Sequence, residues 1–128
     1  MHVTLPVQEG LNAISDARRA VASQLREWGV ISLLDSAELV VSELVTNARL
    51  HTAGPIVVAL TTTNSGVRIE VTDTEVDALP AARQASVEDA NGRGLTIVSA
   101  LSADWGVNAA DSGKGKVVWA ELSLGDSE

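Results

Sequence analysis

Apolar residues recur along the chain with two periods, and the points where one gives way to the other mark out its elements. From His2 to Val7 they alternate as in a half-buried strand, and Pro6 assigns that strand to a sheet edge, where a missing N–H is tolerated. Between Asn12 and Trp28, the residues Ile14, Ala17, Val21, Leu25 and Trp28 fall on one face of a helix that Gly29 ends. A second helix starts near Asp35 or Ser36, either of which could cap it, and runs to about His51 before Gly54-Pro55 stops it. Ile56 to Thr63 reads as a strand, Asn64-Ser65-Gly66 as a turn and Val67 to Thr72 as the returning strand of a hairpin. Thr74 to Gly92 is polar, acidic and aperiodic, a loop or lid of a length that is usually functional. Leu95 to Leu101 resumes a helical pattern, Trp105-Gly106-Val107 begins a strand, Asp111-Ser112-Gly113 turns, and Lys116 to Leu124 is the last strand before a fraying end. This order predicts an α+β fold, a two-layer α/β sandwich with helices on one face of a mixed, mostly antiparallel sheet.

A chain of 128 residues that is 45% hydrophobic can bury one core, so residues 1–128 are expected to form one domain. Phe and Tyr are absent and Trp28, Trp105 and Trp119 are the only aromatics, so the core must be Val, Leu, Ile and Ala with the tryptophans as packing anchors. Without cysteine there are no disulfides or thiolate metal sites, and His2 and His51 are too far apart to suggest zinc. A divalent ion would be a hard one held by oxygens. The net charge of -8 argues against a nucleic-acid backbone as partner. Residues 65–128 carry 11 acidic groups against 5 basic ones, which suits a solvated acidic surface or a basic protein partner. No apolar run has membrane-spanning length, and Met1-His2-Val3-Thr4 lacks a signal-peptide pattern, so the expected location is cytoplasmic.

At about 100° per residue, the second helix sorts into three zones. Ala37, Val40, Val41, Leu44, Val45 and Ala48 form an apolar stripe, and Glu38, Ser42 and Arg49 take the solvent side. Glu43 and Asn47 fall on the other edge of the stripe, between Val40 and the pair Leu39 and Leu50. Their i, i+4 spacing places a carboxylate beside an amide oxygen, a combination suited to a magnesium ion and an attacking hydroxyl. A plain surface pair has the same spacing. His51, one turn beyond Asn47, suits the dipole at the helix C-terminus.

Val67 to Asp73 alternates and ends in a carboxylate where a loop begins. Such an aspartate is commonly a turn residue, but it can also accept a hydrogen from the exocyclic amine of adenine. Asn91-Gly92-Arg93-Gly94 runs into the helix at Leu95, where free backbone N–H groups, the helix dipole and Arg93 could meet a phosphate. Neither a Walker lysine motif nor a dinucleotide glycine motif is present. Lys114 and Lys116, flanking Gly115, are assigned to the turn before the last strand.

In this order, Glu43-Leu44-Val45-Thr46-Asn47-Ala48, the strand ending at Asp73 and Asn91-Gly92-Arg93-Gly94-Leu95 resemble the nucleotide pocket of GHKL-type ATPases, with their Bergerat-type ATP-binding fold. The chain also resembles the small bacterial anti-sigma factor serine/threonine-protein kinases and stand-alone histidine-kinase-like ATP-binding regulators. Trp105-Gly106-Val107 and Gly115 to Leu122 extend the likeness over most of residues 10–124. The resemblance implies that Asn47 ligates Mg2+, Glu43 is the base, Asp73 reads adenine, and Gly92, Arg93, Gly94 and Leu95 hold the phosphates of ATP. It further implies phosphorylation of a serine on an anti-anti-sigma protein, in competition with binding a sigma factor, and a homodimer. One segment departs from the family pattern: Asp-x-Gly-x-Gly is expected, and Asp73-Thr74-Glu75-Val76-Asp77 has no glycine. That departure keeps open a second class of function, a noncatalytic nucleotide- or partner-binding switch. A third, an isolated histidine-kinase ATPase domain, is disfavoured because no dimerisation helix with a phosphoacceptor His is present.

Overall fold

Alternating strands and amphipathic helices assemble as two layers in a computed structural model that describes residues 1–52, 54–73, 96–109 and 115–124. The elements are β1 (His2–Pro6), α1 (Ala13–Glu27), α2 (Leu34–His51), β2 (Ile56–Thr62), β3 (Gly66–Asp73), a short helix α3 at 96–101, β4 (Asp104–Ala109) and β5 (Lys116–Ser123). The sheet order is β1-β2-β3-β5-β4, with β1 at an edge as Pro6 requires. The α+β sandwich stands as expected, and the sheet is more regular than the pattern suggested, since each pairing among the described strands is antiparallel.

The period of two decides which residues meet the helices. Val58, Leu60, Ile69, Val71, Val118 and Ala120 point inward and are buried, and α2 lays Val40, Val41, Leu44, Val45 and Ala48 against them. Helix α1 packs on α2 through Val21 and Leu25 rather than directly across the sheet centre. Its end is a Schellman closure: Gly29 N–H donates to the Arg26 carbonyl and Val30 N–H to the Leu25 carbonyl, with Gly29 at φ 78°. No helix among the described residues is long and apolar enough to cross a membrane.

Three details differ from the sequence expectations. Helix α2 begins at Leu34 with Leu33 at its N-cap position, so neither Asp35 nor Ser36 caps it. Burial of Leu33 in the core draws the helix start back, and Asp35 sits in the first turn, where its charge favours the dipole. Glu38, Ser42 and Arg49 are half-buried rather than solvent-facing, because α1 covers that side and brings Arg18 within 3.9 Å of Glu38. Leu39 and Leu50, beyond Glu43 and Asn47 on the wheel, are exposed.

The third difference concerns the tryptophans. Trp28 and Trp105 pack against the core as expected, whereas Trp119 lies on the outer face of the sheet under the Arg68 guanidinium, 4.2 Å from its ring centre. Arg68 also donates to Glu70 at 2.8 Å and Glu121 at 2.9 Å. Burial pulls the Arg68 pKa down, but hydrogen bonds and charges from the two carboxylates outweigh it and raise the pKa above its ordinary value. Arg68 thus ties β3 to β5 on the face away from the helices.

Truncating the core contact of α2 should be costly and truncating its exposed edge should not. In urea denaturation, Leu44→Ala is expected to lose about 2–5 kcal/mol, whereas Leu50→Ala should stay within about 0.5 kcal/mol of the parent.

Candidate functional site

The connection from α2 to β2 determines what meets at one end of the sandwich. Only residues 52–55 separate His51, the last residue of α2, from Ile56, and Ile56 pairs with Asp73 at the end of β3. Arg49 fastens this link from the helix side, donating through Nη1 to the carbonyls of Thr52 (3.4 Å) and Gly54 (3.0 Å). Gly54 N–H in turn donates to the Thr52 hydroxyl at 2.9 Å. The last two turns of α2, the end of β3 and the start of β5 therefore share one edge of the molecule.

On that edge Asn47 is buried, 1% exposed, and Glu43, one turn earlier, is half-buried. Burial of an amide beside the apolar stripe of α2 carries a desolvation cost that a mere surface residue would avoid. The side chain of His51 lies outside the described residues, as do Gly92, Arg93, Gly94 and Leu95, the expected lid from Thr74, and Lys114.

Asp73 faces inward, the position its alternation with Val67, Ile69 and Val71 dictates. The β3–β5 register continues one step beyond Thr72↔Val117, so the residue opposite Asp73 is Lys116. Lys116 Nζ lies 2.6 Å from Asp73 Oδ2, and the Lys116 backbone N–H donates to Asp73 Oδ1 at 3.2 Å. The side chains are 4% and 2% exposed respectively. Gly115, at φ 85°, makes the left-handed turn that delivers Lys116 into the strand. Lys116 thus opens β5, where the last strand was expected to begin, and its buried pairing with Asp73 is what the sequence reading passed over. The signal was present: Lys116 has the same parity as Val118, Ala120 and Leu122, the inward face of the strand.

The donor types at this edge can be tested against magnesium and ATP. Asn47 and Glu43 offer oxygens, the donors magnesium prefers, and magnesium keeps several water and phosphate ligands besides. Among the described residues no group of three or more His, Asp or Glu side chains could hold a metal alone. A divalent ion at Asn47 would accordingly share its coordination with a phosphate ligand. At the base-reading end the fit is poorer, because both oxygens of Asp73 already accept hydrogen bonds from Lys116.

The family model of a histidine kinase-like ATPase domain matches residues 7–122, nearly the whole chain. The chain belongs to the histidine kinase-like ATPase domain family. That match covers both the α2 residues and the Asp73–Lys116 pair, and it supports an ATP-binding regulatory role for the domain. No curated protein matches the sequence closely enough to stand as a relative.

A buried ion pair is far more damaging to halve than to remove. Lys116→Ala or Asp73→Ala alone is expected to lose about 3–5 kcal/mol in urea denaturation. The double variant Asp73→Leu with Lys116→Met should lose less than the two single losses together, a coupling that a double-mutant cycle reads directly.

Proposed function

We infer that this histidine kinase-like ATPase domain is a regulatory protein serine/threonine kinase that uses Mg·ATP to phosphorylate a serine of an anti-anti-sigma partner, and that it binds a sigma factor as an anti-sigma factor. The observation that carries this reading is Asn47 buried one helical turn from a half-buried Glu43, at the edge where α2 meets the ends of β3 and β5. A buried amide and a carboxylate at i, i+4 spacing are what the resemblance to the kinase members calls for. When bound, Mg·ATP supplies a transferable γ-phosphoryl group, and phosphoryl transfer needs mainly positioning and neutralisation of charge. Asn47 would give one oxygen to the metal, and Glu43 would accept the proton of the incoming serine hydroxyl. Arg93 with the backbone of Gly92, Gly94 and Leu95 would hold phosphate, on the same resemblance, and a homodimer is part of it too.

One observation favours the alternative of a noncatalytic switch. The pairing of Asp73 with Lys116 engages the carboxylate that would otherwise read adenine. A protein of that kind would sequester its partner without transferring phosphate, and Glu43 would then have no proton to accept.

Calorimetric titration with ATP, with and without magnesium, together with phosphate transfer to a serine-bearing partner, separates the two. Asn47→Ala is expected to lose magnesium-dependent ATP binding, and unchanged binding would remove Asn47 from the site. Glu43→Ala should keep binding and lose transfer by about a hundredfold or more. Transfer unaffected by that substitution would rule out Glu43 as the base, and absence of transfer from the parent protein to any anti-anti-sigma partner would favour the switch.

A further inference from the structure

The position opposite Asp73 holds a cation, and that changes what the base-reading end of the site can select. A free carboxylate at the end of β3 would accept a hydrogen from an amino group on the purine ring, and a charge-assisted bond of that kind is among the stronger ones a small site can make. Here Asp73 Oδ2 is 2.6 Å from the Lys116 ammonium and Oδ1 takes the Lys116 backbone N–H. The pair is formed between two interior strands, both side chains are almost wholly buried, and the register that aligns them also aligns Val71 with Val118 and Ile69 with Ala120. Moving the pair apart would therefore strip a buried ammonium of its counter-ion, and a neutral amine could not compensate Asp73 to the same degree.

We propose that Lys116 is the specificity-determining residue of this site, holding the Asp73 carboxylate so that the domain does not select for the 6-amino group of adenine. The ligand class it then accepts is purine nucleoside triphosphates irrespective of the substituent at position 6. The ammonium has three donors, of which Asp73 Oδ2 takes one, so a carbonyl oxygen on C6 is as compatible with the pair as an amine. This inference rests on the reading of the edge as a nucleotide site, and it concerns only the base.

The test compares two nucleotides on two proteins by calorimetry in magnesium: ATP and purine riboside triphosphate, which carries hydrogen in place of the amine. The parent protein is expected to bind both within about threefold of each other. Lys116→Thr removes the ammonium and leaves a hydroxyl that can donate to Asp73, and it is expected to favour ATP by about tenfold or more, the scale of one hydrogen bond to a charged group. A parent protein that already prefers ATP by about tenfold would overturn the proposal and leave the nucleotide reading intact, as would a Lys116→Thr variant that is folded by circular dichroism yet binds the two ligands alike. If neither protein binds either nucleotide at millimolar concentration, the nucleotide reading itself fails and takes the proposal with it. Should Lys116→Thr not fold, the comparison on the parent protein alone decides between the first and third results.

Discussion

The seating of one apolar stripe of α2 across β3 and its neighbours is the contact on which the other features depend. Six α2 residues, Ala37, Val40, Val41, Leu44, Val45 and Ala48, are buried, and they lie above the inward residues of β2, β3 and β5. Helix geometry leaves no freedom once that stripe is seated: residues 43 and 47 must follow at the stripe's edge, one turn apart. The hydrophobic contribution of Leu44, Val45 and Ala48 thus holds Asn47 in place despite the cost of burying its amide. A helix with so few aromatics can do this because small branched side chains allow the helix to sit close to the sheet.

At the same edge a second constraint acts, and it is electrostatic. Two charges removed from water need each other, and the Asp73–Lys116 pair meets that need only because β3 and β5 are neighbours in one particular register. A slip of one residue in either strand would turn one of the two charged side chains to the outer face, bringing Thr72 or Val117 inward and leaving the other charge buried without its counter-ion. The outer face has its own fastening in the stack of Arg68 on Trp119 and its bonds to Glu70 and Glu121. These are half-exposed and individually weak, so they reinforce the register more than they create it. A buried pair in place of two apolar residues gives up some stability, because both charges must be taken out of water.

Much of the architecture was legible in the amino-acid sequence because it rests on local periodicity. Strand alternation and the helix stripe located β1 to β5, α1 and α2 to within a few residues, and Gly29 marked a helix end through its own backbone conformation. The neighbourhood of Glu43 and Asn47 was legible for the same reason, since four residues along a helix is a fixed spacing. The N-terminal boundary of α2 was not, because burial of Leu33 outweighed the capping preference of Asp35 and Ser36.

The sequence by itself determined the elements, the inward face of each strand, and the juxtaposition of Glu43 with Asn47, all through interactions between residues close in the chain. Only the tertiary structure decided which strands are neighbours, and hence that Asp73 meets Lys116, 43 residues further along the chain. The sequence pattern places Lys116 on the inward face of its strand but is silent on what stands opposite. The sheet order β3-β5 supplies that partner, because pairing between distant strands is set by the combined burial of all their inward side chains and not by the preference of any one residue.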